Sequence, residues 1–559
     1  MATLDQQPVP TSTPPADFPV TWESPDDAGR CWLQQGQFFP APITPMTWSM
    51  MAETLDSGFN AAAATFGVPI RLRHRRINTY LYATQLPPET VEIDDGHARE
   101  TLDTAITSLA DRWRDDYLPE ARRFLHDWEH FDLAGATREA LLAHLDETVA
   151  RRRRLREIEI LLQLAGMMAM SAFDDLYRDL FGVESAFDAY RLLQGFDNKT
   201  IETDRALWRL SRQALAVPEV RDAMEGRAPE AVIPALEAST PGQAFLADLR
   251  AFLNDYGHRN NLYLELAHPS WVEDPVPAIQ TLQGYLSQAE GDPGARMATL
   301  AAERERLVAE ARERLRGYPQ PVVAAFERLL RAAQTATVLL EDHNFWLECR
   351  PTHQYRQLIL ECGRRLARAR AIEQVDDVFY LTLDELRPAM MQPHADQRAL
   401  VAARRAEIER FRGIAPPPML GTPPPAGPAP EDTPESRVMA RMFGLPPQDE
   451  PDPHVLHGNA GSPGVARGRA KIIHTLAEAA KLQDGDVLVT RSTVPAWTPL
   501  FTTAAAVVTD AGGILSHCAV VAREYRLPAV VGTLRGTALI QDGQLLEVDG
   551  GAGIVRILS

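Results

Sequence analysis

The chain has 559 residues, 45% of them hydrophobic and 24% charged, with a formal net charge of −19. That length supports several domains with large cores, and it excludes a small stapled scaffold or a wholly disordered chain. The balance of 57 Lys and Arg against 76 Asp and Glu argues against nucleic acid or an anionic membrane as partner, because phosphate binding needs clustered positive charge.

Residues 1 to about 20 are rich in Pro, Thr and Asp, and residues 1–27 are expected to form a flexible tail. They lack the basic start and apolar core of a signal peptide. From 28 to 412 the dominant period is helical, as in Thr137 to Leu164 and Leu300 to Leu315, where apolar positions fall three and four apart. The continuous apolar runs of a buried parallel sheet are missing there, so one large, mainly α-helical domain is predicted. The basic clusters Arg71–Arg76 and Arg151–Arg154 read as solvated helix faces.

The composition then changes. Residues 416–430 hold eight prolines in fifteen positions, which favours extended backbone over helix. A Pro-rich linker is placed at 413–454. From 455 to 559, short β-like runs (Ala470–His474, Val487–Thr490, Ala505–Thr509, Leu545–Val548, Ile554–Leu558) alternate with helical patches at Leu476–Lys481 and His517–Tyr525. This is the pattern of a small α/β domain. The longest uncharged stretch considered, Ser492 to Thr509, contains Pro495 and Pro499 and is a poor membrane span. Cys31, Cys349, Cys362 and Cys518 are scattered with no CxxC pair, so neither a zinc site nor a disulfide framework is expected. A reducing, cytoplasmic setting follows.

The strongest chemical signal runs from Val507 to Glu524. A β-branched strand leads into Gly512–Gly513, then Ser516, His517 and a helical pattern. Paired glycines permit a tight turn. Ser516 is a candidate N-cap, which puts His517 in the first helical turn, where free N–H groups favour an anion such as a phosphoryl group. A lone histidine here reads more simply as a buried or capping residue. The surrounding segments change that: Gly461 to Gly468, the polar-aromatic loop Thr493 to Phe501 with Trp497, Leu527 to Gly532, and Val548 to Gly551.

In order and spacing, these segments closely resemble the swivelling phosphohistidine domain of the phosphoenolpyruvate (PEP) synthase and pyruvate phosphate dikinase family. The resemblance implies that His517 is phosphorylated at one site and delivers the group at another, with the linker as hinge and Gly512, Gly513, Ser516, Thr493 and Trp497 around the histidine. Cys518 stands where that family usually has Ala or Gly, and is read as a small filler. The helical region carries further motifs in order: Phe38 to Ser49, Leu193 to Thr200, Tyr256 to Arg259, His268 to Pro275 and Asp376 to Leu386. This series resembles the acceptor domain of rifampin phosphotransferases and the larger subunit of phenylphosphate synthases.

Neither a P-loop nor the regular β content of an ATP-grasp domain is evident. The resemblance to the split systems therefore implies a separate ATP-grasp subunit that binds ATP and Mg²⁺ and loads His517, with AMP and phosphate released. Phosphoryl transfer needs in-line placement and charge stabilisation. Arg259 is the candidate clamp on phosphoryl oxygens and His258 the candidate general base. Trp48, Met50, Met51, Lys199 and Tyr256 are candidate acceptor contacts, with Met167, Met168 and Met170 as further apolar wall. Glu265, Glu273, Asp274, Asp376 and Asp377 are unranked candidates for holding Mg²⁺ or orienting His258, and metal ligands stay unassigned. The expected activity is phosphorylation of a phenolic (aryl or alkylphenol) hydroxyl. The alternatives are a component that phosphorylates a rifamycin-like antibiotic, a protein phosphocarrier without small-molecule acceptor, and a ligase-like role through an acyl phosphate.

Overall fold

The computed structural model describes residues 17–558 apart from 37, 67–70, 87–94, 183, 263, 287–291, 424–433, 445–451 and 453. The chain is multidomain, with a large helical region and a carboxyl-terminal sheet domain. Helix α1 (Pro45–Thr65) starts on the Thr44 cap. Helix α2 (Arg138–Phe181) is 44 residues long; the Thr137 hydroxyl accepts from Ala140 N at 3.1 Å, and Gly182 ends the helix at φ +76°. Helices α3 (Lys199–Ala216) and α4 (Thr240–Tyr256) build a second lobe. Helix α5 (Gln320–His343) lies along α2, where a Cβ added at Gly166 would stand 3.4 Å from the Ala336 Cβ, so the two backbones approach closely. It runs through a π-helical stretch, Asn344–Cys349, into α6 (Arg350–Arg368). Pro351, with no N–H to give the ladder, sits where the register changes back.

Two sequence expectations for the amino-terminal part do not hold. Arg71–Arg76 is not a helix face: β2 (Arg71–Ile77) pairs antiparallel with β3 (Tyr80–Leu86) in a four-stranded sheet of order β2-β3-β1-β4, with β1 at Cys31–Gln34 and β4 at Met419–Gly421. Asn78 and Thr79 join β2 to β3 with φ of +47° and +74°, the sense that suits a two-residue hairpin. Residues 17–27 are not a loose tail either. Phe18 is fully buried against Tyr80, Tyr82 and Phe411, because the apolar Phe18, Val20 and Trp22 outweigh the polar composition around them. The remainder of the expected tail, 1–16, lies outside the described residues.

The expected hinge at 413–454 is ordered where it is described. Pro417 and Pro418 keep their carbonyls as acceptors, for the Tyr82 hydroxyl at 2.8 Å and Gln34 N at 3.0 Å, before β4 closes the sheet. Helix α7 (Pro434–Phe443) packs on α2 through Arg441, which pairs with Asp174 and Asp175 at 2.7 Å each, and Arg437, 3.0 Å from Asp175. The Pro-rich stretch 424–433 lies outside the described residues.

The carboxyl-terminal domain is an eight-stranded sheet of order β5-β12-β11-β7-β8-β9-β10-β6. Its strands are β5 (Val455–His457), β6 (Asn459–Ser462), β7 (Val465–Ile472), β8 (Val487–Thr490), β9 (Ala506–Thr509), β10 (Ala529–Val531), β11 (Leu545–Asp549) and β12 (Ile554–Ile557). Strands β7 to β10 are parallel and the others antiparallel. The five predicted strands are present, whereas β5, β6 and β10 are short additions. One face of this sheet and helix α8 (His517–Glu524) share a continuous apolar cluster with the second lobe, in which Leu207, Phe245 and Trp271 meet Leu488, Trp497 and Phe501. No described helix is long and apolar enough to cross a membrane.

Candidate active site

The site lies where the carboxyl ends of β8 and β9 meet the helical domain, the end at which parallel sheets present ligand sites. Strand β9 runs into the turn at Gly512, whose φ of +116° needs glycine. Ser516 then caps α8, so His517 is its first residue, as the sequence predicts. The ring reaches across to α5: His517 Nδ1 is 3.3 Å from Glu341 Oε1. A carboxylate only accepts, so Nδ1 carries the hydrogen. Nε2 is buried and has no hydrogen-bond partner among the described residues. The other Glu341 oxygen accepts from the Thr200 hydroxyl at 2.8 Å. Burial opposes the charge on Glu341, but His517 beside it and the bonds from His517 and Thr200 outweigh that, holding the carboxyl below the usual carboxylate range.

His517 opens on a cavity of about 130 Å³, with Phe38, Met167 and Leu340 as apolar wall and Thr493, Ser516 and His343 as polar groups. The Thr493 hydroxyl is buried beside the Cys518 thiol. His343 Nδ1 donates to Leu339 O at 2.9 Å, leaving Nε2 to accept from Gln163 at 2.9 Å; burial lowers its pKa and keeps it neutral. A second cavity, lined by His258, Arg259, His268, His353, Thr352 and Arg356 among others, abuts the first, with Asn344 and Val494 in both walls. The π-helical stretch supplies Asn344, Glu348 and Cys349 to that wall, a common use of such local register shifts.

The predicted residues divide accordingly. His258 and Arg259 lie beside the second cavity. The His258 Nδ1 is buried without a partner among the described residues, and its ring stands edge-on to His353 at 5.0 Å. Burial pushes its pKa down to about 3, so it suits accepting a hydrogen bond better than storing a proton. The Arg259 guanidinium is buried, donates to the Thr203 hydroxyl at 2.8 Å and to Tyr256 O at 3.2 Å, and lies over Trp271. Tyr256 ends α4, 6.4 Å from the Phe345 ring. Lys199 pairs with Glu202 and lies over Phe345 and Trp346, away from the lining of either cavity.

Met50 and Met51 are plain core, 3% and 1% exposed, and Trp48 packs in the small cluster with Met51, Leu55 and Phe38. Of these, only Phe38 reaches the His517 cavity. Trp497 anchors the apolar contact between domains rather than the pocket. Gly513 approaches α7: its N–H donates to Met442 O at 2.9 Å, and an added Cβ would meet Arg441 O at 2.4 Å. Cys518 is buried, its thiol pushed up to about 12 by burial, as suits a filler.

The candidate carboxylates have structural partners. Glu265 accepts from Thr44, Thr47 and Ala267. Glu273 pairs with Arg356 at 2.9 Å, Asp274 accepts from Val276 N, and Asp377 completes a capping box and pairs with Arg405. Asp376 is exposed. No group of three His, Cys, Asp or Glu among the described residues is arranged to hold a metal ion. Sequence reading missed Glu341 and His343, and it named Thr200 only as the end of a motif, without a role. The available signal was the run Glu341-Asp342-His343 closing a long apolar helix, a place where buried charge needs an explanation.

Residues 482–553, which include His517, match the family described as PEP-utilising enzyme, mobile domain. The match covers this one segment of the carboxyl-terminal domain. Its helical partner, residues 161–341 from α2 to Glu341, matches the rifampicin phosphotransferase fourth domain. Both faces of the His517–Glu341 contact thus fall inside these two matches. Over 98% of its length the chain is 40% identical to chondramide synthase cmdD of Chondromyces crocatus, of which it covers 14%. It is 27% identical over 95% of its length to the uncharacterized phosphotransferase YvkC of Bacillus subtilis, covering 62% of that protein. It is 30% identical over 97% of its length to a rifampicin phosphotransferase of a Streptomyces species, covering 64% of it. The chain therefore spans less than two thirds of each of these relatives. The resemblance of the PEP-utilising mobile domain to PEP synthase-type enzymes, and of the helical region to rifampicin phosphotransferases, is borne out.

Proposed function

We propose that this chain is the phosphohistidine-carrying and acceptor-binding part of a phosphotransferase, in which His517 Nε2 carries the phosphoryl group to a hydroxyl of a rifamycin-like acceptor. The observation that carries this reading is the His517 ring, tethered through Nδ1 to Glu341 of the helical domain, with its Nε2 left without a partner among the described residues and the residue itself part of the cavity lining. An acceptor hydroxyl oxygen placed in that cavity attacks phosphorus in line, the P–Nε2 bond breaks with its electron pair returning to Nε2, and the hydroxyl proton passes to water. Arg259 lies next to the second cavity, where its buried positive charge supports the developing phosphoryl charge. A separate ATP-grasp component binding ATP and Mg²⁺ loads His517 away from this docked position, and the 413–454 segment acts as the hinge. The relatives named rifampicin phosphotransferases favour this acceptor over the phenol expected from sequence.

One observation favours a second reading. The cavity beside His517, about 130 Å³, is below the roughly 300 Å³ at which drug-sized pockets begin. In the docked state it suits a small aromatic alcohol, and a macrocycle must present its hydroxyl from an edge. The test loads the full chain with phosphoramidate as donor, then adds rifamycin SV or a panel of phenols and follows phosphate esters by mass. A rifamycin phosphate supports the first reading and an aryl phosphate the second. Discharge to neither, with His517 loaded, overturns both.

A further inference from the structure

Among the described residues, Glu341 is the charged group hydrogen-bonded to His517, and it belongs to the other domain: it sits on α5, while His517 opens α8. The carboxylate is buried, and its second oxygen is held by Thr200 of the helical domain, so its direction toward Nδ1 is set by a residue outside the mobile domain. The charged and titratable groups nearest to it are His343 and Asp342 on its own helix, Arg259 from the loop after α4, and Glu524 at the far end of α8. His343 is tied to Leu339 O, and Asp342 accepts from Lys199 N at 2.8 Å. Neither takes the place of Glu341 at Nδ1.

The imidazole is a poor leaving group from phosphorus while it must depart as an anion, and a good one when Nδ1 holds a proton and the ring leaves neutral. A buried carboxylate hydrogen-bonded to Nδ1 favours that protonated form. We infer that Glu341 is a docking-dependent trigger for phosphohistidine: it keeps Nδ1 protonated only when the mobile domain is seated, so the group is stable in transit and labile at the acceptor. In the step, the Nε2–P bond breaks with its electron pair staying on Nε2. The acceptor oxygen forms the new O–P bond, the acceptor proton passes to water, and Nδ1 keeps its proton. Glu341 acts through His517 and is a positioning residue. The inference rests on the proposed phosphoryl-carrying role of His517.

The test uses the full chain loaded by phosphoramidate, with water as acceptor and inorganic phosphate release as readout, in the wild type and in Glu341→Gln. Gln retains the bond from Thr200 and the shape of the site. Loading is expected to be equal, and discharge slower in Glu341→Gln by about ten-fold or more, as expected for losing one charge-assisted bond. The pH profile separates triggering from mere packing: wild-type discharge holds its plateau to higher pH than Glu341→Gln, in which Nδ1 loses its proton sooner. Thr200→Val, which frees the carboxylate without removing it, is expected to fall between the two. Equal rates and superimposable pH profiles in wild type and Glu341→Gln overturn the inference while leaving the carrier role standing. Absence of label on His517 in the wild type overturns the carrier role itself.

Discussion

Gly513→Ala tests the docked arrangement without touching the chemistry. The backbone of Gly513 is not in the left-handed region, so alanine is allowed there on conformational grounds. The obstacle is α7: the new Cβ would stand 2.4 Å from Arg441 O and 2.6 Å from Gly444 N. Both are main-chain atoms, so the end of α7 must move. That movement breaks the bonds from Gly513 N to Met442 O at 2.9 Å and from Leu515 N to Arg441 O at 2.8 Å. At about 1 kcal/mol each, their loss shifts the seated state by about 2 kcal/mol, or about thirty-fold. It also loosens Arg441 from Asp174 and Asp175. The expected phenotype is normal loading of His517 with delivery slowed by at least that factor, together with faster amide exchange at Gly513 and Leu515. Single-turnover discharge and hydrogen exchange read the two parts. Unchanged delivery with unchanged protection would refute the claim that α7 holds the histidine loop in place.

Other outcomes follow from the same geometry. His517→Ala is expected to fold, since alanine is tolerated at a helix start, and to take no phosphoryl label; circular dichroism and intact mass check both. Ser516→Ala removes the α8 cap and is expected to cost about 1 kcal/mol by thermal or denaturant unfolding. Arg259→Ala is expected to load normally but deliver slowly, with a lower melting temperature because a buried guanidinium bound to Thr203 is lost; single-turnover delivery and melting read the two effects. Glu524 accepts from Gly195 N at 3.1 Å across the domain contact, and burial raises its pKa to about 7. Protons therefore bind the folded state more tightly than the unfolded one. The stability this contributes is complete below the ordinary glutamate value and is lost as pH rises through about 7. Glu524→Gln is expected to match the wild type near pH 5 and to melt higher than it near pH 8.

The carboxyl-terminal domain was legible because its signals are local. Strand runs such as Val487–Thr490, the Gly512–Gly513 turn and the Ser516 cap are each set by a few adjacent residues. The hairpin at Arg71–Leu86 was not, because neither strand alternates buried and exposed positions, so the arginine-rich run carries no period of two to read. The hydrogen-bond partner of His517 escaped for another reason. Glu341 is 176 residues away in sequence, and no spacing rule links two residues brought together by docking of separate domains. The other candidate site residues fared unevenly: His258 and Arg259, expected as base and clamp, line the second cavity, while Met50 and Met51, expected as acceptor contacts, are ordinary core, the common fate of methionines at helical spacing.

The most direct measurement is phosphopeptide mass spectrometry at neutral pH, without acid steps, on the chain exposed to phosphoramidate and, in parallel, to ATP with an ATP-grasp component. The account predicts one phosphoryl group, on His517, bonded through Nε2 and discharged on adding an acceptor alcohol. A fully unmodified His517 under both donors, or a stable label on another residue that alone supports transfer, contradicts it.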